Sequence, residues 1–364
     1  MRDEGNLPFR RTFAFAVLQI AGYALGLIAL LYITFVLLRV PPVESLRALW
    51  VGAFGDAESG HWYAISETLV KTTPLLLTGL GVVVAWRAGL FSIGGEGQLI
   101  MGAIAATVVA RLLPAIPGPL LTVLMLIAGI AAGAGWGGIA GWLRVRRNVQ
   151  EVISTIMLNY IALYLLGWLV EGPLQERAHR LSQSEPLPDA ALFARILPPS
   201  FSGGMVTRLH SGVLLALFVT VCVAVYLFRT SSGFSLRVVG QNPDAARMAR
   251  LPADKLRIQA MLISGGLCGL AGVTELLGVS GRLYANFSPG WGYTAIPVAL
   301  LGGLNPGGTL LSALFFGGLS AGSSNLSRFS NVSSVLIYLV QAASALAIVG
   351  TRAWRSRQNT NSQD

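Results

Sequence analysis

Charge is scarce in this chain. Of 364 residues only 12% are Asp, Glu, Lys or Arg, about half of the ~25% that covers an ordinary soluble domain. That excludes a small soluble enzyme. Cysteine is nearly absent: Cys222 and Cys268 both lie in apolar runs, so there is neither a disulfide framework nor a zinc pattern, and both read as packed thiols. The three histidines, His61, His179 and His210, are far apart in sequence and make no metal constellation. The two lysines, Lys71 and Lys255, follow Val70 and Asp254, whereas a P-loop needs Gly-Lys-Ser/Thr. The chain therefore cannot hydrolyse ATP through that motif. No carboxylate pair or nucleophile elbow supports a membrane enzyme either.

What the chain does have is apolar residues, 54% of the total, with a mean hydropathy of +0.65. Disorder is excluded on that ground. A bilayer core takes about 20 apolar residues as helix. Runs of this kind lie at 13–38, 65–86, 98–112, 118–143, 149–170, 212–228, 258–279, 291–304, 308–322 and 332–349. The first is too long for the ~7–15-residue core of a signal peptide and no small-residue cleavage site follows it. The expectation is an all-α integral membrane protein of about ten transmembrane helices, forming a single transmembrane domain over 1–364, with broken helices in both halves.

An even count puts both termini on one side, and charge tests this. Of 26 basic residues, 16 fall on the segments expected inside, among them Arg10, Arg11, Arg87, Arg144, Arg146, Arg147, Arg229 and Arg352. Acids such as Glu44, Asp56, Glu171, Glu176 and Glu185 collect on the other side. Basic residues mark the cytoplasmic face, so both termini are placed there. The net charge of +10 is then a topological label and not a nucleic-acid signature; its partner is membrane lipid.

Two connecting segments are long. Residues 171–211, rich in Pro, Ser and charge, form an external loop that reads either as a solvated connector or as a docking surface for an external partner. Residues 229–257 are cytoplasmic and carry six basic residues. Within them Asn242 is a helix cap, Pro243 suits the first helical position and Asp244 the positive end of the dipole. Ala245, Ala246, Arg247 and Arg250 continue a helix over about 243–251, which Pro252 ends. If ATP drives the protein, this helix, with Gly240 before it, is the candidate contact for an ATPase on another chain; the plainer reading is a surface helix held on anionic lipid by Arg247 and Arg250.

Glycine recurs at Gly129, Gly133, Gly137 and Gly141, a small-residue ridge that lets another helix come close. Gly265 and Gly269, and Gly318 and Gly322, repeat the spacing. Breaks occur in both halves. Pro74 is expected to interrupt the 65–86 run, followed by the glycine-rich stretch 87–98 with Phe91, Ser92, Glu96 and Gln98. Pro297 is expected to interrupt the 291–304 run, followed by a turn with Asn305. Transporters show such paired breaks, and these, with Asn159, are the candidate translocation path. Intramembrane charges are site hypotheses by default, and Glu275 is the fair candidate for the coupling site of an ion-driven secondary transporter, the rival reading.

The run Gly89-Leu-Phe-Ser-Ile-Gly-Gly-Glu-Gly-Gln98 resembles the G-L-F-N-I-G-x-E-G-Q signature of permeases in bacterial ABC importers, in the simple sugar and nucleoside branch of the branched-chain amino acid/ribose permease superfamily. Glu151-Val-Ile-Ser-Thr-Ile-Met-Leu-Asn-Tyr160 with Gly172-Pro173-Leu174, Gly240-Gln-Asn-Pro-Asp-Ala-Ala-Arg247 and Gly292-Tyr-Thr-Ala-Ile-Pro-Val-Ala-Leu-Leu-Gly302 are similar to the same branch. Ser92 stands where Asn is usual, and Gly95 where a larger residue is common. The resemblance implies a non-enzymatic permease in the bacterial inner membrane. It implies no cofactor on this chain, with ATP and Mg bound by a separate ATPase subunit. It also implies a second permease, either a sibling, of which this chain would be the longer partner, or a second copy of this chain, and an external substrate-binding lipoprotein.

Overall fold

The computed structural model describes residues 41–56, 61–197 and 207–329, together with 29, 32, 33, 35 and 36. Its regular structure is helical, with three isolated β-bridges, all involving residues 175–210. The helices are α1 (Pro42–Phe54), α2 (His61–Arg87), α3 (Gly95–Leu112), α4 (Gly118–Arg147), α5 (Glu151–Glu171) and α6 (Gly212–Arg229). They continue with α7 (Ser231–Gln241), α8 (Pro243–Met248), α9 (Ala253–Glu275), α10 (Trp291–Leu301) and α11 (Pro306–Phe329). Five stretches are long and apolar enough to cross a membrane: Trp62–Arg87, Gly118–Arg147, Glu151–Glu171, Gly212–Arg229 and Ala253–Ser280. Further helices accompany these five, and the chain is an all-α, multi-pass membrane protein. The expected spans at 332–349 and, apart from a few positions, 13–38 lie outside the described residues.

The chain divides into two units, Met1–Gly52 with Gly322–Asp364, and Ala53–Ala321. In the first, the Asn325 side-chain amide donates to Ala48 O at 3.0 Å, tying α11 to α1. The second holds the main core, with Leu75, Leu80, Leu99, Met125 and Phe316 fully enclosed.

Two expectations about breaks need correction. Pro74 lies inside an unbroken α2 and Pro297 inside α10. At Pro74 the Thr73 hydroxyl donates to Leu69 O at 3.0 Å and the Thr78 hydroxyl to Pro74 O. Both are ordinary i−4 back-bonds; the carbonyl that Pro74 leaves without its N–H donor is Val70 O. The interruptions lie just beyond, where Gly89 (φ 75°) turns the chain out of α2 and Gly303 (φ 69°) and Leu304 (φ 53°) turn it out of α10.

The α4 glycines meet a second glycine row, on α9. A Cβ on Gly133 would stand 2.7 Å from Gly269 Cα and also strike Gly265 O; one on Gly137 would stand 2.6 Å from Met261 O, and one on Gly141 2.9 Å from Met261 Cβ. Gly129 lies against Val273. Only hydrogens separate the two backbones, the small-residue packing expected between helices in lipid. Past Glu275, α9 widens into a single π turn, Leu276–Ser280.

The 172–197 and 207–211 segment is no free connector. Ser184 N–H donates to Leu283 O (2.7 Å), Leu187 N–H to Gly281 O (2.9 Å) and Phe193 N–H to Leu277 O (3.1 Å), roofing the end of α9. Arg208 forms a two-pronged pair with Glu67 of α2, at 3.0 and 2.6 Å. The carboxylate beside it, outweighing the opposing effect of burial, holds the Arg208 guanidinium above its ordinary range.

Candidate junction of broken helices

Residues 88–94 leave the end of α2 and turn back into the unit before α3 begins. Each step of this turn is held from α5. Phe91 N–H donates to Glu151 Oε1 (3.3 Å), Ile93 N–H to Thr155 Oγ1 (3.2 Å) and Gly97 N–H to Asn159 Oδ1 (2.8 Å). The acceptors fall at i, i+4 and i+8, one face of a helix. Ser92 is buried; its carbonyl accepts from the Trp86 indole at 3.2 Å and its hydroxyl from Gly94 N–H at 3.3 Å. Phe91 instead points out, its ring edge-on to Trp86. Glu151 is itself neutralised by Arg144 at 3.1 Å.

Helix α3 thus starts about two helical turns along α5 from Glu151. Opposite it starts α10, a helix of 11 residues, about 16 Å long at 1.5 Å per residue, which is half a span. Glu96 joins the two. Its carboxylate is buried in the first turn of α3 and accepts Gly292 N–H, in the first turn of α10, at 2.7 Å. Ser288 and Gly290 also hydrogen-bond it. Two helix N-termini, each with unpaired N–H groups and positive dipole ends, therefore share one acid. A Cβ on Gly292 would stand 2.5 Å from Glu96 Cα, so only glycine allows this approach.

Asn159 closes the junction from the α5 side. Its amide donates to Ile93 O (2.9 Å) and to the Tyr293 hydroxyl (3.3 Å). Gln98 is 2% exposed, with its amide nitrogen beside Gly94 and Gly137 and its Oε1 without a partner among the described residues. The Trp291 indole N–H is a second buried orphan.

The structure brings Phe91, Ser92, Glu96, Gln98 and Asn159 together and leaves Asn305 elsewhere. Asn305 is exposed in the turn before α11, accepting from Gly307 N–H at 3.0 Å and Thr309 N–H at 2.7 Å. Next to it, Leu304 O accepts from Arg87 Nε at 2.9 Å, at the end of α2. Pro297 is one helical turn and more from the Glu96 contact. The partner of Glu96 is the 288–292 turn, Ser-Pro-Gly-Trp-Gly, whose Pro289 lies eight residues before the proline expected to mark the break. Gly89, Thr155, Gly292 and Tyr293 lie within the motifs that resemble the family but were not named as site candidates, and Ser288 lies in none of them; those motifs were the available signal.

The cytoplasmic-type segment reaches this junction. A Cβ on Gly240 of α7 would stand 2.7 Å from Ala88 C and from Gly89 N, so α7 lies on the very turn that opens 88–94. Asn242 caps α8, accepting from Asp244 N–H (3.1 Å) and Ala245 N–H (3.0 Å), while Pro243 takes its first position. Helix α8 ends at Met248, earlier than expected, and Arg250 takes a left-handed turn (φ 55°). Ala246 is not a contact surface: it is fully buried with Val239 and Leu256. Asp244, Ala245, Arg247 and Arg250 are exposed, and Met248 is 88% exposed. Arg247 pairs with Asp244 at 3.2 Å. Glu275 lies partly buried elsewhere in the unit, with Arg208 and Lys71 as the opposite charges nearest it.

Residues 64–344 match the family described as branched-chain amino acid transport system / permease component. The glucose ABC transporter permease protein of Haloferax volcanii is 35% identical over 333 residues, 91% of this chain and 85% of that protein. The guanosine ABC transporter permease protein of Bacillus subtilis is 37% identical over 319 residues, 86% and 87% of the two chains. A nucleoside ABC transporter permease protein of Lactococcus lactis is 32% identical over 327 residues, 89% and 86% of the two. The same two bacteria each have a second matching permease of the same printed substrate. These relatives are transport components and not enzymes. Broken helices met at one acid, a glycine-packed bundle and the match over 64–344 lead to one placement: the chain belongs to the branched-chain amino acid transport system / permease component family, as the membrane permease of an ABC transporter.

Proposed function

We propose that this permease imports a nucleoside or a simple sugar, driven by ATP that a separate ATPase subunit binds with Mg. It lies in the bacterial inner membrane with both termini and the α7–α8 segment cytoplasmic. The basic residues Arg144, Arg146, Arg147, Arg229, Arg247, Arg250 and Lys255 gather at that end, as the positive-inside rule requires. The 172–211 side is external and receives a substrate-binding lipoprotein. A second permease, of the kind the paired relatives suggest, completes the path. The supporting observation is the backbone contact of Gly240 with Ala88 and Gly89. A push on α7–α8 reaches the 88–94 turn, and through it Glu96 and Gly292, without passing through any flexible side chain. Switching between two packings of rigid helices then needs only that one turn to shift.

Met248 is the exposed knob on that surface, and the test uses it. In membranes holding the whole transporter, ATP should drive uptake of labelled guanosine or glucose. Met248→Glu should lower that uptake tenfold or more while the amount of inserted permease stays the same. Parental uptake by Met248→Glu would remove the docking assignment. Uptake that ignores ATP and collapses with the proton gradient would establish the ion-coupled alternative instead, with Glu275 as its site.

A further inference from the structure

Helix α5 has 21 residues, about 31 Å at 1.5 Å per residue, which matches a hydrocarbon core of about 30 Å. Tyr160 is its tenth residue and Tyr164 its fourteenth, so both sit near mid-membrane. They are 51% and 75% exposed, and neither phenol has a hydrogen-bond partner among the described residues. Being four apart, they share one face. Tyrosine in lipid collects at the interface, where its hydroxyl is wet; a bare hydroxyl in hydrocarbon costs several kcal/mol. Trp168, near the end of the same helix and also exposed, obeys the rule. Tyr160 and Tyr164 do not, so the surface they stand on is wet.

A third phenol joins them. Tyr293 is partly exposed at the start of α10, within electrostatic range of Tyr160, and its hydroxyl is held by Asn159. The Phe91 ring is exposed as well, braced by Trp86. Between Glu151 and Glu171, both at its ends, α5 carries no charge. The surface therefore offers flat rings and hydroxyls beside the exposed Met157 and Ile161 side chains, mid-membrane, with no ion for an ionic solute to pair with.

We infer that Tyr160, Tyr164 and Tyr293 line the aqueous path and contact the passing solute. The class that fits is a neutral ring bearing hydroxyl groups, stacked on the phenol faces and hydrogen-bonded to their edges. This rests on the importer reading above and goes further by naming the wall of the path.

Cysteine accessibility tests it. With Cys222 replaced by Ala, Tyr160→Cys and Tyr164→Cys are each treated, in membranes holding the whole transporter, with a membrane-impermeant thiol reagent. Phe218→Cys, exposed near the middle of α6, serves as the lipid-facing reference. Labelling at 160 and 164 should run at least tenfold faster than at 218, and guanosine or glucose should slow it, whichever is the solute. Rates equal to that at 218 would place the tyrosines against lipid or a packed partner and overturn the inference. Fast labelling that neither solute slows would overturn the contact. Should Tyr160→Cys disturb assembly, the more exposed Tyr164→Cys gives the same readout. If the parent took up neither solute on ATP, the importer reading itself would fall; parental uptake with silent cysteines sinks this inference alone.

Discussion

Two contacts hold the second unit together, and they are built on opposite chemistry. At the centre of the α4–α9 crossing there are no side chains: Gly133 meets Gly265 and Gly269 backbone to backbone. Where α3 meets α10, a buried acid reaches across and takes a backbone N–H at 2.7 Å. In lipid no hydrophobic force draws one apolar helix to another, so close fit supplies the first attachment. The second exists because two helices begin inside the protein, and their bare N–H groups need an acceptor. The dry crossing has one good arrangement and resists change. The polar junction is held by a few directed bonds, which can be broken and remade. A permease needs both, a frame and a place that yields.

The sharpest way to break the frame is to give it a side chain. Gly133→Leu forces α4 from α9, and overpacking of a tight interior costs about 1–3 kcal/mol and sometimes more. Here backbone must move, so the expected outcome is loss of folded permease, seen as aggregation on size-exclusion of the detergent-solubilised complex. Gly135 is the control on the same helix, with nothing within 4 Å of its Cβ position; Gly135→Leu should leave folding intact. Equal behaviour of the two would mean that the crossing does not carry the frame.

The frame was legible in the sequence and the junction only half so. The Gly129–Gly141 ridge announces itself by spacing, and what could not be read was its partner, because any small-residue row satisfies the same pattern. The glycine-rich stretch at 89–98 likewise marked one side of the junction. Its other side was sought at Pro297 and Asn305, since proline is the usual sign of a broken helix. The break falls instead at 281–290, before α10, where Gly281 and then Ser288-Pro289-Gly290 separate the helices, while Pro74 and Pro297 are absorbed within helices. Asn159 was found by motif. Tyr164 was missed because a tyrosine in an apolar run looks like one more hydrophobic residue until its depth is known.

A smaller effect asks whether the dry packing along α9 tolerates charge. Beyond the crossing, the ring of His210 lies against Gly278 of the π turn and stacks on Phe193 with centroids 5.8 Å apart. Its Nδ1 accepts Gly212 N–H at 3.1 Å, so the ring is neutral. Burial, and next Arg195, lower its pKa from 6.5 to about 4. Above pH 6.5 the ring is neutral in both folded and unfolded chains, and stability is full. As pH falls from 6.5 toward 4 the unfolded chain binds a proton that the folded one refuses, so stability drops by at most about 3 kcal/mol. Thermal unfolding of the purified permease between pH 7 and pH 4 should show that fall, and His210→Gln should flatten it. An unchanged slope in His210→Gln would assign the acid sensitivity to other groups.

The junction should respond least in stability and most in transport. Glu96→Ala leaves Gly292 N–H buried and unpaired, at about 1–3 kcal/mol, and frees the start of α10 from the start of α3. Glu96→Gln keeps an oxygen at the same reach, so Gly292 stays paired at a small fraction of that cost. If the acid serves only as an acceptor, uptake should vanish in Glu96→Ala and largely survive in Glu96→Gln, with the melting temperature moving in Glu96→Ala alone. If its charge between two helix dipoles is what sets the packing, both variants should lose uptake while Glu96→Gln still melts like the parent. Uptake retained in both would show that the α3–α10 meeting point is frame as well, and that the yielding part of the molecule lies elsewhere.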